Sequence, residues 1–287
     1  MDYRLKEEFS VVKLPVIFTE EKRGKCSPCS TCNQLVLADL TDNISYKNDV
    51  KGVFLRKGSV SDTVEFTIEQ NGVVLPNEGL DGVFPNDSLL VGFMYNWQDY
   101  LSTYGQGCFI IRCNFNISGV DGSYMIGVYD LKHYNLDNAN STVRVKSEFR
   151  SYSLSNEADF TDSNFEDSIR FNGFFGNRKP NTEINNLISK GRIVEKVTRE
   201  NLNSYELRTD PLNECKTKQL LDFHLLHEDE IYISDHNATN HSYNYFDKPL
   251  VLTETPEIEY TDGDRNAKIT AIFGDKTVNN KSMYNKK

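Results

Sequence analysis

The clearest pattern in the chain is an alternation of apolar and polar side chains between Gly107 and Ile117. The apolar members of this run are Phe109, Ile111, Cys113, Phe115 and Ile117. A period of two residues is typical of a strand that buries one face. A turn-forming segment follows at residues 118–122, and the alternation resumes at Tyr124. We therefore predict a β-hairpin over residues 107–131.

A second hairpin is predicted upstream, where residues 63–69 alternate in the same way. Residues 70–72 read Gln-Asn-Gly, a turn sequence, and the short apolar run Val73–Leu75 follows them.

Two segments carry helical signals, residues 89–104 and residues 212–226. Gly105 is suited to end the first of them. The candidate N-caps are Asn96 for the first helix and Asp210 or Asn213 for the second. We expect the first helix to be short and to pack against the end of a sheet.

The second half of the chain consists mainly of short apolar runs rich in Val, Ile, Phe and Tyr, which favour strands. Strands are predicted at residues 169–176, 230–235, 250–252, 258–260 and 267–273. The polar run at residues 177–181 is interpreted as a loop.

These elements predict a mainly β protein with two β-sandwich-like domains, short helices, and extended N- and C-terminal arms. The boundaries follow shifts in composition. We assign residues 1–42 to an N-terminal arm with a cysteine cluster, 43–150 to the first domain, 151–276 to the second domain, and 277–287 to a C-terminal tail.

The formal net charge of −10 argues against tight nucleic-acid binding, because proteins that bind phosphate backbones concentrate Lys and Arg on one face. The first nine residues lack the basic start and apolar block of a signal peptide, and no run approaches the length of a membrane span. We therefore expect the chain to fold in a cytoplasm and to have no membrane partner.

The most specific local motif is a cysteine cluster, Cys26-x-x-Cys29-x-x-Cys32. Two thiolates at this spacing can reach one metal ion, and Zn²⁺ takes four ligands. Only three are local, so the fourth would come from Cys108, Cys113, Cys215, a histidine or another chain. The alternative is a turn of small residues whose thiols stay reduced. Cys26, Cys29 and Cys32 are thus candidate zinc ligands, and no other cofactor is indicated.

Histidines at positions 224, 227, 236 and 241 could in principle form a metal site or an acid–base site. No Glu lies between His224 and His227 as in a metalloprotease helix, so ordinary surface or partly buried histidines are favoured. A carboxylate cluster at residues 157–167 does not match the spacing of an EF-hand loop and is interpreted as a solvated acidic loop. The chain also lacks a nucleophile elbow and a phosphate loop. We predict no catalytic residue and no enzyme.

The chain resembles virion proteins of crAss-like and related bacteriophages that infect Bacteroidetes. The resemblance rests on the cysteine cluster, on Val64-Glu65-Phe66-Thr67-Ile68-Glu69-x-Asn71-Gly72, on residues 104–111 (YGQGCFII), on residues 231–237 (IYISDHN) and on residues 271–276 (AIFGDK). It implies a tail, collar or ring component that assembles in the host cytoplasm into a cyclic oligomer below the portal. Its partners would be copies of itself and other tail, portal or ring proteins.

Two other functions stay open on the sequence. One is a carbohydrate-binding or adhesin-like β module with an aromatic platform, which the lack of a signal peptide disfavours. The other is a zinc-dependent enzyme that uses the cysteine cluster.

Overall fold

A computed structural model describes residues 34–41, 44–76, 88–117, 119–153, 158–188, 194–226, 228–237, 245–260, 266–276 and 279–280. Over these residues the protein is mainly β, with several sheets and a few short helices, as predicted from the sequence. Residues 1–33 of the predicted N-terminal arm and most of the predicted tail lie outside the described part of the chain.

The strands are numbered in chain order. They are β1 (Gln34–Ala38), β2 (Val50–Arg56), β3 (Thr63–Gln70), β4 (Val73–Leu75), β5 (Leu90–Asn96), β6 (Gly107–Ile117), β7 (Val120–His133), β8 (Thr142–Phe149), β9 (Tyr152–Ser153), β10 (Ala158–Asp159), β11 (Phe165–Ile188), β12 (Val194–Thr209), β13 (Glu230–Asp235), β14 (Lys248–Leu252), β15 (Glu257–Tyr260), β16 (Ala267–Asp275) and β17 (Asn279–Asn280). The helical segments are Ser45–Lys47, Trp97–Tyr104, Leu136–Ala139, and Glu214–Lys218 with its π-helical continuation Gln219–Leu225.

The first sheet has five strands in the order β1-β7-β6-β3-β4, and β2 pairs with β5 beside it. Both predicted hairpins, β6–β7 and β3–β4, are confirmed. The core under this sheet is aromatic. It surrounds Trp97, whose ring is fully buried, with its centroid 5.1 Å from that of Tyr129 and 5.9 Å from that of Phe109.

Each predicted helical segment contains a helix with a predicted N-cap, but the helical prediction for residues 89–96 is wrong, since residues 90–96 form strand β5 and the helix begins at Trp97. Asn96 Oδ1 accepts a hydrogen bond from Gln98 N at 3.2 Å, and Gly105 ends that helix with φ of 76°. The positive φ explains the glycine, because other residues rarely adopt it. In the second helix, Asn213 rather than Asp210 is the cap.

The second sheet closes on itself. Strands β16, β14, β13, β8, β11 and β12 pair in that order, and β12 pairs again with β16, so six antiparallel strands form a barrel. The barrel encloses a separate apolar core that includes Val145, Phe171, Leu207 and Phe273. Closure leaves these six strands no free edge where they pair.

Strand β8 belongs to the barrel, although it precedes the predicted domain boundary at residue 150. The chain therefore changes sheet between His133 and Thr142, across the short helix Leu136–Ala139.

The loop predicted at residues 177–181 is wrong. Strand β11 continues through it, with an irregular register between Gly176 and Lys179, and pairs with β12 up to Ile188 opposite Val194. The polar composition reflects strands that leave the protein body rather than a turn.

Candidate assembly interface

The hairpin formed by β11 and β12 extends well beyond the barrel. Strand β8 pairs with β11 only over Phe165–Asn172, and β16 pairs with β12 only over residues 204–208. Among the described residues, 179–188 and 194–203 pair with each other, apart from a two-residue contact with β17. Ten residues at about 3.3 Å each carry the hairpin roughly 30 Å past the barrel. We call this part the projecting hairpin.

Its base is fixed to the barrel through Asp275. Asn203 Nδ2 donates to Asp275 Oδ2 at 2.7 Å, and Arg178 Nε donates to Asn203 Oδ1 at 2.9 Å. Lys248 Nζ lies 2.7 Å from the same carboxylate. Burial raises the pKa of Asp275, but the hydrogen bonds from Lys248 and Asn203 outweigh it and hold the pKa below its usual value.

A buried ionic network joins the first sheet to the barrel close to the same strands. Asp49, just ahead of β2, accepts two hydrogen bonds from Arg170 of β11, both at 2.9 Å. Arg144 Nε of β8 lies 3.0 Å from it, and Leu37 N donates at 2.8 Å. Burial alone would raise the pKa of Asp49, but the charge of Arg170, followed by that of Arg144, holds it below its usual value. Asp49 thus joins two barrel strands, through Arg144 and Arg170, to strand β1 of the first sheet, through Leu37 N.

Asp167 of β11 is the second buried carboxylate at this junction. Lys51 Nζ lies 2.7 and 2.9 Å from its two oxygens, and Gly52 N donates at 3.0 Å. Gln219 Nε2 donates at 3.3 Å, and His224 Nε2 lies 3.2 Å away. Burial opposes ionisation, but Lys51 and then His224 hold the pKa of Asp167 below its usual value. Strand β2 and the π-helical segment are thereby attached to one strand of the barrel.

Ser147, His224 and Asp167 have the composition of a hydrolase triad. Ser147 Oγ lies 2.9 Å from His224 Nδ1, and burial lowers the pKa of His224, so its ring is neutral. All three side chains are fully buried, however, and the ion pair with Lys51 already engages the aspartate. A substrate would have to open the core to reach Ser147 Oγ. The three side chains therefore form a buried hydrogen-bonded chain that stabilises the fold, not a nucleophile with its base.

A polar groove lies beside the hairpin base, with a volume of about 1060 Å³. It runs between the barrel ends of β11 and β12 and the strands β15 and β16. Its charged lining residues are Glu206, Asp210, Glu257, Glu259, Arg208 and Lys268.

The candidate zinc ligands Cys26, Cys29 and Cys32 lie outside the described residues. Of the cysteines considered as a fourth ligand, Cys108 and Cys215 are disulfide-bonded. The described residues hold no group of three or more side chains suited to a metal ion. His224 and His236, from the predicted histidine set, are buried, and His227 and His241 fall outside the described residues.

Cys113 is a free thiol with no exposed surface. Burial raises its pKa to about 12, so it is neither a ready ligand nor a nucleophile.

No protein-family model matches the chain, and no curated protein matches its sequence. The part of the chain that the structure describes contains no helix with the length and apolarity needed to cross a bilayer.

Replacing Asp49 by Asn should lower the free energy of unfolding by about 3–5 kcal/mol, because Arg170 would stay buried without its countercharge and Arg144 would keep only Asp247. Urea denaturation followed by fluorescence measures the change. The matched control is Asp130→Asn, which removes a partly exposed partner of Lys132 and should cost less than about 1 kcal/mol. Equal losses in the two variants would contradict the role given to the buried network.

His236 should make the protein less stable in mild acid. Burial, followed by the charge of Arg170, lowers the pKa of His236 from 6.5 to about 3. The unfolded chain therefore binds the extra proton first, and stability is lost as the pH falls from 6.5 towards 3. Between pH 7 and pH 5 the loss from this residue should be about 2 kcal/mol.

The variant His236→Phe keeps an aromatic ring beside Tyr134 and Phe246 but cannot titrate. Its unfolding free energy, measured with urea at pH 7 and pH 5, should fall by less than that of the wild type. Identical losses would show that His236 is not the titrating group.

The cysteine assignment predicts distinct reactivities. In peptide maps of unreduced protein, Cys108 and Cys215 should appear in cross-linked peptides, which also identify their partner cysteines. Cys113 should react with iodoacetamide only after denaturation, because its sulfur is buried. Alkylation of Cys108 or Cys215 in the native, unreduced protein would contradict the assignment.

Proposed function

We propose that this protein is a structural subunit of a bacteriophage virion, a tail or collar component that forms a cyclic ring in the portal–tail assembly. The resemblance to virion proteins of crAss-like phages supports the place in the particle. The projecting hairpin supports the role of a ring subunit.

The hairpin carries the proposal because it has too little to pack against within the part of its chain that the structure describes. Over residues 179–188 and 194–203, the two strands pair only with each other and with the short strand β17 among the described residues, and the side chain of Asn203 at the base bonds to Asp275. An isolated two-stranded hairpin is marginally stable in water, and three or more strands or a packed face are needed for independent stability. A neighbouring subunit in a ring would supply that missing contact.

The rest of the body suits a subunit of an assembly. A closed barrel presents little free edge, and two buried carboxylates fix it to strand β2 and the residue ahead of it. The net charge of −10 suits a surface along a path of exiting DNA, because negative charge on the protein repels the DNA phosphates and prevents binding. Disulfides at Cys108 and Cys215 suit a particle that leaves the host cytoplasm, since disulfides persist on virion surfaces.

Removing the projecting hairpin should abolish rings while leaving the body folded. Asn181 and Leu202 are directly paired, so residues 182–201 can be replaced by an Asn-Gly turn without disturbing Asn203. Native mass measurement and negative-stain electron micrographs should show closed rings for the wild type and monomers for the shortened chain. Circular dichroism should show that the shortened chain keeps its β structure.

Two results would contradict the proposal. One is a wild-type chain that stays monomeric up to high concentration. The other is a shortened chain that forms the same rings as the wild type.

A further inference from the structure

A cleft of about 510 Å³ lies where the first sheet meets the barrel. The first sheet contributes Leu35 of β1 and Asp130 of β7, which are directly paired. The barrel contributes the middle of β11 and the segment from Asp210 to Lys216, which leads from β12 into the next helix. Small-molecule sites in proteins have volumes of roughly 300–1,000 Å³, so the cleft has the size of a binding site.

Backbone hydrogen bonds hold the barrel wall of this cleft in place. Asp210 N donates to a carbonyl oxygen of β11 at 2.9 Å, and Leu212 and Ala267 exchange two hydrogen bonds, both at 2.8 Å. Asn213 Oδ1 accepts from Lys216 N at 2.9 Å and so caps the helix that follows. The backbone of this wall is therefore fixed before any ligand binds.

Three cationic side chains line the cleft, and two of them have acidic partners. Arg170 Nη2 lies 2.9 Å from Asp49 Oδ1, and Lys132 Nζ lies 2.9 Å from Asp130 Oδ2. The third, Lys216, forms no ion pair with any residue that the structure describes. Its charge is therefore the unpaired positive charge of the cleft.

Lys216 is half-buried in the short helix Glu214–Lys218. In the same helix, Lys218 Nζ lies 2.9 Å from Glu214 Oε1. Burial lowers the pKa of Lys216, and no carboxylate in the described part of the chain offsets that effect. An ammonium group in this position is stabilised by any anion that pairs with it, and the cleft has room for one.

The other lining residues favour an organic anion with a single charge. Asp210 is exposed and pairs with no described cation, so it would repel a dianion such as hydrogen phosphate. The side-chain amides of Asn172 and Asn213 donate to no described residue, and amide N–H groups bind carboxylate oxygens. Leu35 and Pro211 add apolar surface.

We propose that this cleft binds a small organic carboxylate, with Lys216 as its counter-ion and the amides of Asn172 and Asn213 as further donors. The apolar part of the ligand would lie against Leu35 and Pro211. The site involves none of the projecting hairpin, so the proposal does not depend on the proposed ring function.

Titration with hexanoate, which joins one carboxylate to an apolar chain, tests the site. The protein is labelled with ¹³C at Cε of lysine and followed by NMR. In the free protein, the signal of Lys216 should titrate with a pKa below its usual value of 10.5. Saturating hexanoate should raise that pKa, because a bound carboxylate favours the ammonium form, and should leave the signal of Lys218 unchanged.

The variant Lys216→Met removes the ammonium group and keeps an unbranched side chain. It should weaken hexanoate binding at least about tenfold, because the bond to the charged group is lost. The matched control Lys218→Met removes the same charge from the same helix and should leave the Kd within about twofold of the wild-type value. The Tm of Lys216→Met should equal or exceed that of the wild type, since the variant removes a half-buried charge. A structural role for Lys216 would lower the Tm instead.

Two further compounds test the class of ligand. Hexanol lacks the carboxylate and inorganic phosphate lacks the apolar chain, so each should bind at least about tenfold more weakly than hexanoate. Phosphate that binds as tightly as hexanoate would overturn the carboxylate assignment. Hexanoate that moves no lysine signal at millimolar concentration, or that binds equally well to Lys216→Met, would overturn the site. None of these outcomes bears on ring formation.

Discussion

The structure depends on two carboxylates that are ionised where water is excluded. Asp49 and Asp167 are almost fully buried, and each holds its charge because cationic side chains from another element lie within 3 Å. Removing such charges from water costs several kcal/mol per ion, and the cost is offset only when the partners sit in good geometry. A shift of β2 by one residue along the barrel would break both sets of contacts. The network therefore favours one relative placement of the two sheets.

That placement also sets the direction of the hairpin. Asp167 and Arg170 lie in the same continuous strand, β11, that becomes the first arm of the hairpin. Strand β12 returns to the barrel, where Asn203 and Asp275 tie it to β16. Both arms are thus held at the point where they leave the body. The projecting hairpin is thus held at its base, although among the described residues its outer strands pair only with each other and with β17.

Sequence periodicity predicted those strands and helices that bury one face and expose the other. The two hairpins of the first sheet and both capped helices follow from alternation and from residues such as Asn96 and Gly105. The loop predicted at residues 177–181 failed because a strand outside the core has no buried face and hence no apolar alternation. The pairing of β12 with β16, which closes the barrel, could not be predicted from the sequence, because it joins residues more than 60 positions apart.

The buried network was missed for a related reason. In β8 the order Val143, Arg144, Val145, Lys146 gives the same alternation as a strand with one solvated face. The structure instead buries both faces, with the apolar side chains in the barrel core and Arg144 against Asp49. A charged side chain between two valines indicates a buried ion pair only when its acidic partner is known. Asp49 lies 95 residues upstream, and nothing local connects the two.

Stiffness at the hairpin base matters for the size of the proposed ring. A heterologous contact gives a ring of fixed size only if every subunit is turned by the same angle relative to the last, and otherwise gives open filaments. In the proposed ring, that angle is set by the hairpin relative to the barrel of its own chain. The ties at Asp275, Asp167 and Asp49 hold this angle before any neighbour binds. The buried charges would then act on assembly without touching the neighbour, because they fix the direction in which the hairpin presents its surface.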